Sequence, residues 1–196
     1  MNRLVLQSLV FSVSIILASG GYDHGTSAGK GNFDLSLTWN PFNYFNQGQS
    51  YAVIGYGLTD RLDIHSYYSF VNRENDNYYG GFFYQFYKSK WIDLATAIGV
   101  RKYKNKEVMH LFMPQLLYTI YLTEKVHIGG SIVDIKNYDS MTRKGTAIDT
   151  FFIFKIFEKK NYIVDITIGG FNPVMWQPDK GNWHPTYSID IKLKTF

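Results

Sequence analysis

The residues best suited to chemistry in this 196-residue chain are carboxylates, histidines and cations set singly among apolar and aromatic neighbours. Asp63, His65, Asp93, Arg101, His127, Lys155, Asp165, Asp190 and Lys192 all fall in phase with polar positions of alternating segments. They are expected to share one inner face. Gathered there, they would form a charged constriction, an acid–base site or an ion-pair network that fills a narrow interior. Buried charges must be paired, so the network is the expectation. Several lie close to short turns and should meet at one end of the molecule.

A second concentration lies in residues 172–185, which hold two of the four Trp and three of the five Pro. Asp179 and His184 are the candidate acid–base pair, with Asp139 and His110 as other members of such a pair. Trp176, Trp183 and His184, together with Phe42 and Tyr44 of residues 41–50, would build an aromatic platform for a sugar, a lipid or a partner protein. The same residues would equally serve as a lid anchored at a membrane interface, where Trp and Tyr collect without any ligand.

Several chemistries are excluded. Cysteine is absent, so there are no disulfides, thiolate metal sites, Cys nucleophiles or lipidated N-terminal Cys. The five His show no metal-ligand spacing, and neither a metal nor a cofactor is expected. Gly25-Thr26-Ser27-Ala28-Gly29-Lys30-Gly31 has the composition of a phosphate loop. It is one residue short, lacks the final Ser or Thr, and has no strand–helix frame. There is no Gly-x-Ser-x-Gly elbow. The formal charge of +4 is spread over turns and loops, without the clustered patch of a nucleic-acid binder.

The elements that must position these residues are strands. Phe33, Leu35, Leu37 and Trp39 alternate with Asp34, Ser36 and Thr38, and Tyr187, Ile189, Ile191 and Leu193 alternate with Ser188, Asp190 and Lys192. Period two with unlike faces predicts a strand. Ten such segments are read at 32–40, 51–58, 62–71, 77–87, 91–103, 108–121, 126–135, 146–157, 162–171 and 186–195. Short charged turns join strands two–three, four–five, six–seven and eight–nine, and most other connections are longer. This is the pattern of an outer-membrane barrel with its short turns facing the periplasm. The expected fold is all-β: a single up-and-down antiparallel transmembrane barrel of about ten strands, within a range of roughly 8–12. Its last strand would pair with its first. Apolar side chains would face lipid, and small or polar ones such as Asp93, Ala95, Ala97 and Gly99 would face the lumen.

Residues 1–20 read as a secretory signal: a short positive start, an apolar run to Leu17, then small residues. Residues 21–31 read as a flexible periplasmic lead-in, and residues 32–196 as the barrel domain. Export through the general secretory route to the outer membrane of a Gram-negative-type bacterium is expected. The partners would be the lipid bilayer, the outer-membrane assembly machinery, and a small solute, lipid or surface partner, with no nucleic acid.

The run Tyr56-Gly57-Leu58-Thr59-Asp60-Arg61-Leu62-Asp63-Ile64 resembles a strand–turn–strand element of small bacterial outer-membrane barrels. It is similar to that of the barrel family associated with the meta pathway of phenol degradation. Residues 24–45 resemble small proteins of marine bacteria and their phages, a likeness that implies no activity. Phe196 resembles the terminal aromatic of barrels handed to the assembly machinery, although Lys194, Lys192 and Asp190 stand where that pattern has apolar residues.

The expected function is that of a small non-enzymatic outer-membrane barrel in surface interaction, envelope structure or restricted passage of small solutes. One alternative is an outer-membrane enzyme that modifies lipid or peptide with Asp179 and His184. The other is a soluble periplasmic, lipocalin-like binder of an apolar ligand, whose barrel would be apolar inside.

Overall fold

The computed structural model describes residues 24–39, 50–70, 76–172 and 183–194. The expected signal, and Phe42, Tyr44, Trp176, Asp179 and Phe196, lie outside these residues. Ten strands are present: β1 (Phe33–Trp39), β2 (Ser50–Gly57), β3 (Leu62–Phe70), β4 (Asn77–Lys88), β5 (Ile92–Tyr103), β6 (Met109–Tyr121), β7 (Val126–Asn137), β8 (Arg143–Glu158), β9 (Tyr162–Asn172) and β10 (His184–Leu193). Each pairs antiparallel with its chain neighbours, and β1 pairs with β10 from Phe33↔Leu193 to Trp39↔Tyr187. The sheet is therefore a closed up-and-down barrel with no open edge, the form in which a sheet can satisfy its backbone in lipid. The expected strand boundaries differ from these by no more than three residues.

Three of the four short turns repeat one local device. Thr59 Oγ1 accepts from the amides of Arg61 and Leu62, Ser89 Oγ from those of Trp91 and Ile92, and Thr123 Oγ1 from those of Lys125 and Val126. A hydroxyl at the first turn position replaces a ladder bond and reverses the chain in few residues. In β6 the register shifts between Phe112 and Gln115. Pro114 lies within that shift, at a point where its missing N–H costs no ladder bond.

The faces are the expected way round. Ile54, Ile64, Phe82, Ile98, Leu116, Ile132 and Ile189 point outward and are exposed, while Asp63, Asp93, Gln85, Ser131 and Asp149 point inward and are buried. This apolar-out, polar-in order belongs to a transmembrane barrel and is the inverse of a lipocalin-like one. The inner face is less purely polar than its sequence suggests. Phe83, Ala95, Ala97 and Leu117 form one buried apolar cluster, and Val133, Ile135 and Ala147 form another. A narrow barrel fills its interior with side chains, and apolar ones fill the remaining volume without needing partners.

Candidate functional site

The interior is built in three storeys. The lowest, beside the short turns, is entered by the segment read from its glycines as a flexible lead-in. Residues 24–31 instead pack against the inner wall. Lys30 bridges Gly57 in parallel, and the Gly31 amide donates to Gly57 O at 2.8 Å. The Asp63 carboxylate then takes a 2.6 Å bond from Ser27 Oγ and a 2.8 Å bond from the Ala28 amide. Further along, the Gly25 amide and Thr26 Oγ1 each bond Thr119 Oγ1 at 3.0 Å. Thr26 Oγ1 also lies 3.0 Å from Tyr121 Oη, which donates to Asp93 Oδ2 at 2.6 Å.

Close approach explains the glycines. A Cβ on Gly57 would fall 1.9 Å from Gly29 O, and one on Gly25 would fall 2.5 Å from Asp93 O. Gly29 and Gly31 take φ of 82° and 77°, a region that favours glycine. The phosphate-loop-like composition thus does hold an anion with a hydroxyl and a backbone amide, but that anion is the chain's own Asp63. His24 Nδ1 accepts from the Thr26 amide at 3.3 Å. Burial, together with the nearby Lys192 ammonium, pushes the His24 pKa down to about 3.

The middle storey is the apolar cluster of Phe83 and Leu117 with its neighbours. The upper storey is a ladder of rings. Tyr51 meets Tyr67 edge-on at 4.9 Å, Tyr67 stacks on Tyr79 at 4.9 Å, and Tyr79 meets Phe112 at 5.5 Å. Arg101 closes the ladder, lying over Phe112 and Tyr103 with its Nη2 3.0 Å from His110 Nδ1. His65 Nε2 and Gln115 Nε2 both reach Tyr79 Oη, at 2.9 and 3.2 Å.

All nine expected lumen residues stand at inward or inner-rim positions, but they do not form one network. Asp63 holds the entering segment directly, and Asp93 holds it through Tyr121. His65 and Arg101 belong to the ring ladder, nearer the long loops. Lys192 pairs with Asp34 at 3.6 Å, and Asp190 accepts from Thr167 and Ser188. Asp165 lies opposite both Asp190 and Lys155 in the register. Lys155 itself turns to Glu158 at 2.9 Å, and the ring of His127 meets that of Tyr121 at 4.8 Å. Asp165, Asp190, Lys192 and Lys155 act on one another electrostatically at the short-turn end, with Asp34 and Asp63 beside them. His65 and Arg101 stand toward the long loops, because inward positions on tilted strands spread over the height of the lumen.

Trp183 is exposed beside the start of β10. His184 opens that strand opposite Phe171, and its expected partner Asp179 lies outside the described residues. Ser27, Thr119, Tyr121 and Asp149 are interior residues that sequence reasoning missed, and Asp34 was on the inward phase but not among the site candidates. The signal for Ser27 was present in the Gly-Thr-Ser-Ala-Gly run, where small residues permit close backbone approach.

Among the described residues, every strand carries at least one deeply buried inward residue. Thr38, Val53, His65, Phe83, Ala95, Leu117, Ser131, Phe151, Thr167 and Ser188, one from each strand, are inward and at most 4% exposed. Other inward residues, Lys155 and Lys192 among them, keep about a quarter of their side chains exposed.

No family model and no curated protein matches the chain. Among solved structures it is similar to the KdgM porin in complex with disordered oligogalacturonate, at 8% identity and a TM-score of 0.46, over 84% of this chain and 99% of that one. It is also similar to the N-terminal β-barrel domain of Pseudomonas aeruginosa OprF, at 12% identity and 0.32, over 84% and 98%. A third similarity is to Ail, the attachment invasion locus protein of Yersinia pestis, at 8% and 0.24, over 84% and 98%.

Proposed function

We propose that this chain is an outer-membrane barrel of a Gram-negative-type bacterium that acts as a closed envelope or surface-contact protein and not as a solute channel. Export would use residues 1–20, and insertion would use the outer-membrane assembly machinery. The apolar outer face supports the membrane location, because exposed Ile, Leu and Phe on every side suit hydrocarbon and not water. The observation that supports the closed reading is the densely filled inner wall. Each strand contributes an inward residue that is at most 4% exposed, and the entering segment packs at the end beside the short turns. Small-solute passage would require both the segment and the ring ladder to move.

The test is electrical. Protein refolded into planar bilayers, and shown to be folded by heat-dependent gel mobility, is expected to give no conductance steps. Stable single-channel openings from folded protein would overturn the closed reading. Recovery of the mature protein as a detergent-free soluble species would overturn the membrane reading.

A further inference from the structure

Charge at the long-loop rim is unevenly shared among the strands. Residues 40–50, which leave β1, contain no charged residue. Across the barrel, β5 to β8 bring Lys102, Lys136 and Arg143 to the outer wall. Arg101 on β5 and Ile135 on β7 are buried inward, so Lys102 and Lys136 point outward. Lys102 pairs in register with Met109 and Lys136 with Leu111, so one strand and a two-residue offset separate the two cations, a spacing of roughly 12 Å. Arg143 stands beside Lys136 in the register and is fixed on the outer wall by a 2.7 Å bond to Asp134. That bond neutralises the outward carboxylate of the sector. Lys102 and Lys136 form no ion pair among the described residues. Glu107 and Asp139 lie in the exposed loops above. Below Lys102 come lipid-facing Val100 and Ile98, and below Lys136 come Asp134, held by Arg143, and then lipid-facing Ile132.

We infer that this sector binds the phosphate groups of the phosphorylated glycolipid in the outer leaflet, with Lys102 and Lys136 as the phosphate ligands and Val100, Ile98 and Ile132 against the acyl chains. This rests on the outer-membrane reading above and on the short turns facing the periplasm. The pattern is what such a lipid requires: cations at headgroup depth on long aliphatic stems, with an apolar wall beneath. A cation at a lipid headgroup layer is worth roughly a 5-fold gain in binding.

The test compares three proteins in a neutral detergent by native mass spectrometry: the parent, Lys102→Gln/Lys136→Gln, and Lys159→Gln/Lys160→Gln at the opposite rim. The probes are diphosphoryl lipid A and its fully dephosphorylated form. The parent is expected to retain the phosphorylated lipid in preference to the dephosphorylated one. Lys102→Gln/Lys136→Gln should bind it about 25-fold more weakly, two cations at roughly 5-fold each, and the opposite-rim variant should match the parent. Equal retention of both lipids overturns the inference, as does an equal loss in the opposite-rim variant. Heat-dependent mobility and vesicle insertion are measured on the same samples. A protein that inserts without lipid preference defeats only this inference, while one that does not insert defeats the membrane reading and this inference with it.

Discussion

The amide of Ala28 donates to Oδ2 of Asp63 at 2.8 Å, and Ser27 Oγ donates to Oδ1 at 2.6 Å. Both oxygens of a wall carboxylate are thereby held by a segment that precedes the first strand. Because hydrogen bonds to a charged group contribute about 1.5–3 kcal/mol each, this pair is the main polar anchor of residues 24–31. Asp63→Asn removes the charge while keeping the shape. It is expected to free the segment for protease cleavage and to lower stability by about 2 kcal/mol, with heat-dependent mobility of the barrel retained. Unchanged protection of residues 24–31 would show that the anchor lies elsewhere.

Two glycines offer a matched comparison. A Cβ at Gly57 meets Gly29 O at 1.9 Å, whereas a Cβ at Gly80 meets nothing within 4 Å. Gly57→Ala should therefore displace the entering segment, seen as faster amide exchange at residues 24–31. Gly80→Ala, on the lipid side, should change stability by no more than about 0.5 kcal/mol, as surface substitutions usually do.

Acidity should loosen the same segment. His24 is buried neutral with a pKa near 3, and an unfolded His titrates near 6.5. Its folded value lies below its unfolded one, so the free segment binds the extra proton first. Stability linked to His24 is present above about pH 6.5 and falls as pH drops toward 3. Lys192 and His127 are the charged and titratable groups that disfavour its protonation. Amide exchange at residues 24–31, corrected for its intrinsic pH dependence, should rise between pH 7 and pH 4. His24→Gln should remove most of that rise, and an identical rise in the variant would assign it to other groups.

The outer face predicts a sign. Ile98 is outward and exposed between β4 and β6. Ile98→Arg is expected to cost about 2–4 kcal/mol of folding stability in lipid vesicles if it sits near mid-membrane. A soluble barrel would accept Arg at an exposed outward position at almost no cost, so a neutral result in vesicles would count against a lipid-facing wall.

Much of the architecture was legible because a closed sheet writes its two faces into the chain at period two. The clean alternation from Tyr187 to Leu193 located β10 and its outward set directly, and brief charged connections marked the short turns. The interior was less legible. Distance from the short turns put residues such as Asp63 near one end, but alternation did not say which inward side chains would bond one another. Phe83, Leu117 and Phe151 look like lipid-facing residues by type, and only their phase puts them inside. The entering segment escaped altogether. Glycines that mark a loose tether and glycines that permit close backbone approach look the same until Gly57 and Gly29 are seen in contact.

The entering segment also has a mechanical consequence. It starts against β6 at Thr119, passes Asp63 on β3 and leaves beside Gly57 on β2, so it touches strands four places apart around a ring of ten. It is a spoke across the cylinder. A thin-walled tube under lateral pressure fails by flattening into an ellipse, and a cross-brace opposes that distortion along its own diameter. Severing the brace should leave every rung of the wall in place and yet make the tube's cross-section easier to squash.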